Sequence, residues 1–183
     1  MKKIFSIILI ISAAAFLGAQ EVRELGFLDG FGITVEKPYH LSSFKDGLIS
    51  EGFSNSDRFG ITGTDGNETD VRIVYDSENM GFSPKLYALL VIREYYGADD
   101  DPDQEEVISI TYHTGDFGAG YWFAYRLGQE SRTVYVRDMY DSPGFAKVMI
   151  FFPDPDVEDP IEQERVLRNL LPKIGISFYE AAG

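Results

Sequence analysis

The chain has 183 residues and carries 30 acidic against 16 basic side chains, a net charge of −14. Such a chain repels phosphate backbones and anionic lipid headgroups, which speaks against nucleic acid and membrane surfaces as partners. With no cysteine, thiol catalysis, thiolate metal centres, iron–sulfur clusters and disulfide support are excluded. An aromatic content of 14% separates it from disordered acidic tails and predicts a folded core.

Lys2 and Lys3, an apolar run from Ile4 to Phe16 and the small-residue site Leu17-Gly18-Ala19 have the order of an export signal. The run is shorter than the roughly 20 apolar residues a bilayer-spanning helix needs. Residues 1–19 are therefore expected to be removed, leaving 20–183 as a single α+β domain of net charge −16 in the periplasm or outside the cell. Gln20 stands where a lipoprotein signal requires cysteine, so no stable membrane anchor is expected after cleavage.

Phe31, Ile33 and Val35 alternate ahead of Pro38 and read as a strand. The Gly- and Ser-rich segment that follows holds one short edge strand at 48–53. Asp65-Gly66 marks a hairpin between strands at 58–62 and 71–75. In 83–97, Leu86, Leu89, Leu90 and Tyr96 fit a helix, although Val91 and Ile92 also fit a buried strand. Ser83 as N-cap, Pro84 at the first helical position and Gly97 after the end favour the helix. An acidic loop at 99–103 follows.

From Val107 to Phe152 the period is two: Ile108, Ile110 and Tyr112; Tyr121, Phe123, Tyr125 and Leu127; Val134 and Val136; Ala146, Val148, Ile150 and Phe152. This is the pattern of half-buried antiparallel strands joined by turns at 115–118, 128–131 and 140–144, where Ser142-Pro143-Gly144 suits a type II turn. Loops of four, four and five residues set Tyr112 against Tyr121, Tyr125 against Val134 and Val136 against Val148, with every apolar row on one side. Asp159-Pro160-Ile161-Glu162 then opens a helix, with Glu162 placed to reach back to the cap. Leu167, Leu170, Leu171 and Ile174 share one face of it, Glu164 and Arg168 pair on another, and Pro172 ends or kinks it. Ile174, Ile176 and Phe178 form a last strand. The expected fold is α+β: an antiparallel meander packed by the C-terminal helix and one further helix.

Tyr121-Trp122-Phe123-Ala124-Tyr125-Arg126, the strand at 147–152 and the helix ending Val166-Leu167-Arg168-Asn169-Leu170-Leu171 resemble, in their order and residue style, the second half of PsbP/Mog1-like domains. The resemblance covers about half the chain. It implies an extrinsic binding or assembly factor more than an enzyme.

Catalytic and metal motifs are scarce. His40 and His113 form no ligand-spaced pair, there is no serine-hydrolase elbow, and Gly115, Gly118 and Gly120 have the wrong order for a dinucleotide loop. The acidic runs at 99–103 and 154–159 offer oxygen ligands, but Gln104 and Ile110 stand where an EF-hand loop needs glycine and glutamate. Solvated turns are the plainer reading, and no metal or cofactor is expected. The sharper signal lies on the second face of the meander. In the register above, Trp122 lies opposite Arg137 and Ala124 opposite Tyr135, with Arg126 on the same side. Trp122, Tyr135, Arg137 and Arg126 are thus the expected ligand-binding residues, on an open face taking a protein or a small anionic or aromatic ligand. The competing readings are a helix that covers this face, a cell-envelope hydrolase working through carboxylates, and a purely structural envelope component.

Overall fold

The computed structural model describes residues 23–26, 30–42, 56–76, 80–96, 105–115, 118–142 and 144–178. The export segment expected at 1–19, the edge strand expected at 48–53, Gly97, the acidic loop expected at 99–103 and Pro143 lie outside the described residues. Among the described residues ten strands and two α-helices follow in the order β1 (Arg23–Gly26), β2 (Phe31–Val35), β3 (His40–Leu41), β4 (Ser56–Thr62), β5 (Glu68–Tyr75), α1 (Pro84–Tyr95), β6 (Glu105–Gly115), β7 (Gly118–Leu127), β8 (Glu130–Asp138), β9 (Ala146–Phe152), α2 (Pro160–Leu170) and β10 (Ile174–Phe178). Seven strands form one antiparallel sheet in the order β3-β4-β5-β9-β8-β7-β6, and three form a small antiparallel sheet, β1-β2-β10. The α+β expectation holds, with helices on both faces of the large sheet.

The local signals act where the residues place them. Gly66 takes φ 84° in the hairpin that joins β4 to β5, a conformation open to glycine at little steric cost. The described part of segment 83–97, residues 83–96, resolves to a helix: the Ser83 hydroxyl accepts from the Leu86 amide and Pro84 opens α1. Asp159 caps α2 by accepting from the Ile161 amide, and a 3-10 turn over Leu171–Lys173 containing Pro172 ends it. Glu162 does not close the expected capping box. It pairs instead with Arg165, one turn along the exposed face.

The meander departs from the expected register by two residues in two places. Gly128-Gln129 makes a two-residue turn where four were expected, so Tyr125 pairs with Arg132 and Phe123 with Val134. Val136 then faces Ile150 instead of Val148. A shift of two returns every side chain to the same face, so the apolar rows stay together and packing alone does not distinguish the two registers. Between β7 and β8, ladder hydrogen bonding carried into the tighter turn does, whereas between β8 and β9 the connection is two residues longer than expected. Two irregularities matter more. A bulge at Lys147 turns Ala146 to the opposite face from Val148, and a second at Ile108 disturbs the start of β6.

The core has two halves, one on each face of the large sheet. On one face α1 lays Tyr87, Ala88 and Ile92 over Val74, Phe123, Tyr125, Val134, Val136, Val148, Ile150 and Phe152. Tyr95 stacks on Phe152 at 3.9 Å between ring centroids, and the Arg72 guanidinium lies 4.9 Å from the Tyr95 ring. On the other face Leu167 and Leu170 of α2, with Leu171 of the 3-10 turn, join Phe31, Ile33 and Val35 of the small sheet over Phe59, Ile61, Val71, Ile73, Trp122, Tyr135, Met149 and Phe151. The apolar row of β6 escapes both layers: Ile108, Ile110 and Tyr112, expected to be half-buried, are exposed.

Candidate functional site

Trp122 and Tyr135 come together, as their shared parity requires. The two-residue turn makes them direct cross-strand partners, and their rings lie 4.8 Å apart at 55°. Arg137 moves two residues along the ladder, opposite Gly120. Ala124 faces Thr133 in place of Tyr135. Arg126 shares the face but sits four residues from Trp122 and six from Gly120, about 13 and 20 Å along a strand, so it stands apart from the cluster.

The face is covered where an open one was expected. Trp122 is 8% exposed and Tyr135 wholly buried, because the leucine stripe of α2 packs across them. Arg168, read from the sequence only as a partner of Glu164, makes that 2.7 Å ion pair and also holds its guanidinium carbon 4.7 Å from the centre of the Trp122 ring. A cation over an indole contributes about 0.5–1 kcal/mol at an exposed site. Trp122 thus has its cation, supplied by the helix above it. Its Nε1 is buried with no hydrogen-bond acceptor among the described residues.

The cover thins at the β6–β7 hairpin, and glycines make the difference. A Cβ at Gly120 would lie 2.4 Å from the Tyr135 Oη and from the Val136 carbonyl oxygen; at Gly118, whose φ is 93°, it would lie 3.1 Å from Arg137 Nη2. The two glycines therefore form the floor on which the phenol and the guanidinium rest. His113 closes the row on the far side, paired across the ladder with Gly120. Arg137 is half-buried and has no carboxylate partner among the described residues. Burial lowers its pKa below the ordinary arginine range, with Tyr135 opposing. Burial also pushes the Tyr135 phenol up to about 12, against the pull of Arg137. The result is a desolvated cation beside a neutral hydroxyl on a glycine floor, an arrangement suited to holding an anionic oxygen.

Elsewhere the polar side chains are engaged by contacts of their own. A cavity of about 260 Å³ between the β4–β5 turn and α2 is lined by Tyr39, Asp65, Asn67, Thr69, Arg165 and Asn169. There Asp65 accepts from the backbone and side-chain amides of Asn67, while Arg165 is held by Glu162. Of the acids at 154–159, Asp154 and Asp159 likewise serve the backbone. Asp154 accepts from the amides of Glu68 and Asp156, and Asp159 caps α2.

No protein-family model matches the chain. No curated protein sequence matches it either. The chain is similar to the solution structure of cyanobacterial PsbP (CyanoP) from Synechocystis sp. PCC 6803, at 9% sequence identity and a TM-score of 0.49, over 91% of this chain and 98% of that one.

Proposed function

We propose that the chain is an exported, non-enzymatic binding or assembly domain that takes an anionic group, carried by a protein or a small ligand, at Arg137. The observation that carries this reading is the guanidinium itself, half-buried on a glycine floor without a carboxylate partner among the described residues, in a chain of net charge −14. With 30 acids available, pairing this arginine internally is chemically easy. A partly desolvated cation with no counter-charge among the described residues favours an incoming anion. Tyr135 supplies a hydroxyl beside it, Trp122 forms the aromatic wall behind, and Arg126 is an outlying second cation on the same face.

Trp122 is the chain's single tryptophan and therefore an internal reporter. Titration with benzoate and with inorganic phosphate, followed by Trp122 fluorescence and its indole N–H resonance, is expected to saturate in the parent protein and to be lost in Arg137→Gln. Unchanged binding in that variant, or none in the parent, overturns the site. Export is tested separately by the mass of the protein recovered outside the cytoplasm, which should begin at Gln20.

A further inference from the structure

Strand β6 ends the seven-stranded sheet, and among the described residues no strand pairs with its outer edge. It is 11 residues long, against roughly five or six for an ordinary strand. It also exposes Val107 (37%), Ile108 (44%), Ile110 (37%) and Tyr112 (57%). Long apolar edges are templates for another chain, and folded proteins usually shorten, charge or cover them. The bulge at Ile108 blunts only the beginning, since 109–115 pair with β7 residue for residue.

The two faces of the edge differ in character. Ile110 and Tyr112 project on the α1 side, with the Tyr112 ring 5.2 Å from that of Tyr121, while Ser109, Thr111 and His113 fall on the other. The two ends differ in charge: in the sequence Glu105 and Glu106 open the strand just after the acidic run at 99–103, and beyond them the next acid is the single Asp116 that follows Gly115. A second copy of this chain brings another net charge of −14 to the contact, which opposes self-pairing. A basic segment gains from the same field.

We propose that β6 accepts an extended segment of a partner protein as the next strand. The segment runs antiparallel, like every other pair in the sheet. It is apolar at alternate positions, to lie beside Ile110 and Tyr112, and basic at its C-terminal end, to lie beside Glu105 and Glu106. Main-chain hydrogen bonds supply the affinity, and the alternate side chains and charge polarity supply the choice of segment and direction. This surface is separate from the Arg137 site and stands whether or not that site binds an anion.

The test uses the whole protein and two synthetic peptides, both alternating valine with threonine, one ending and the other beginning with three lysines. The first is expected to bind about tenfold tighter at low salt, to lose that margin as salt screens the charges, and to slow amide hydrogen exchange within 109–114. Ile110→Lys, an exposed position, should weaken it by at least about tenfold while leaving the circular dichroism spectrum unchanged. Absence of saturable binding, equal binding of the two peptides, or protection elsewhere overturns the proposal. So does self-association of the protein alone that Ile110→Lys abolishes, since a second copy then fills the edge.

Discussion

Strands β9 and β6 carry the same period-two spacing of apolar residues and end in opposite environments. Every residue of β9 is buried, whereas Val107, Ile108, Ile110 and Tyr112 of β6 are all exposed. Part of the difference is in the intervening residues. β9 sets Met149 and Phe151 between Val148, Ile150 and Phe152, so both its faces are apolar. β6 sets Ser109, Thr111 and His113 between its apolar residues, so only one face can be. The rest is position. α1 packs on β9 near the middle of the sheet, and β6 lies three strands away, about 14 Å at ~4.8 Å per strand and beyond the width of one helix. Alternation announces a strand with two unlike faces; whether the apolar face meets protein or solvent depends on what lies three strands away.

The largest expected effect is at the centre. Phe151→Ala should cost about 3–5 kcal/mol in denaturant unfolding, because α2 and the small sheet close over the site and leave a cavity. A loss no larger than that of a β6 variant breaks the comparison. Next is the tie between β5 and α1, where the buried Tyr87 hydroxyl donates to Asp76, whose other oxygen accepts from the Met80 amide. Tyr87→Phe removes one donor from the Asp76 carboxylate and should cost about 1–3 kcal/mol, measured the same way.

The third effect is alkaline. With its phenol pushed up to about 12 from an ordinary 10.0, folded Tyr135 keeps a proton that the unfolded chain loses. Its contribution to stability is thus whole below pH 10 and declines as pH rises toward 12, by about 1 kcal/mol per pH unit. Stability of the parent and Tyr135→Phe measured from pH 9 to 11 should show the variant falling less steeply. Parallel curves would contradict the assignment. The smallest effect is at the edge, where Ile110→Ala should change stability by no more than about 0.5 kcal/mol. A larger loss would mean that something covers β6.

Half of the candidate site was readable from residue parity. Any even loop between β7 and β8 puts Trp122, Tyr135 and Arg137 on one side of the sheet and Phe123, Tyr125 and Val136 on the other, which is where they stand. Arg137's exact neighbour was not readable, because loops of two and four residues preserve parity equally and only the closed ladder separates them. Nor was Arg168: its i to i+4 partner Glu164 is visible in the chain, but the indole beneath it belongs to a strand more than forty residues earlier.

What the sequence by itself determined is everything carried by near neighbours: the meander, the hairpin at Asp65-Gly66, the Ser83 and Asp159 caps and the end of α2 before Pro172. These depend on φ preference, capping and alternation, which act within a few residues. What only the tertiary structure decided is coverage and long-range pairing. Phe31–Val35 pairs with Ile174–Phe178 from the far end of the chain, the leucine stripe of α2 settles over Trp122, and β6 is left bare. The physical reason is that burial belongs to the pair of surfaces that meet, and a single strand specifies only one of them.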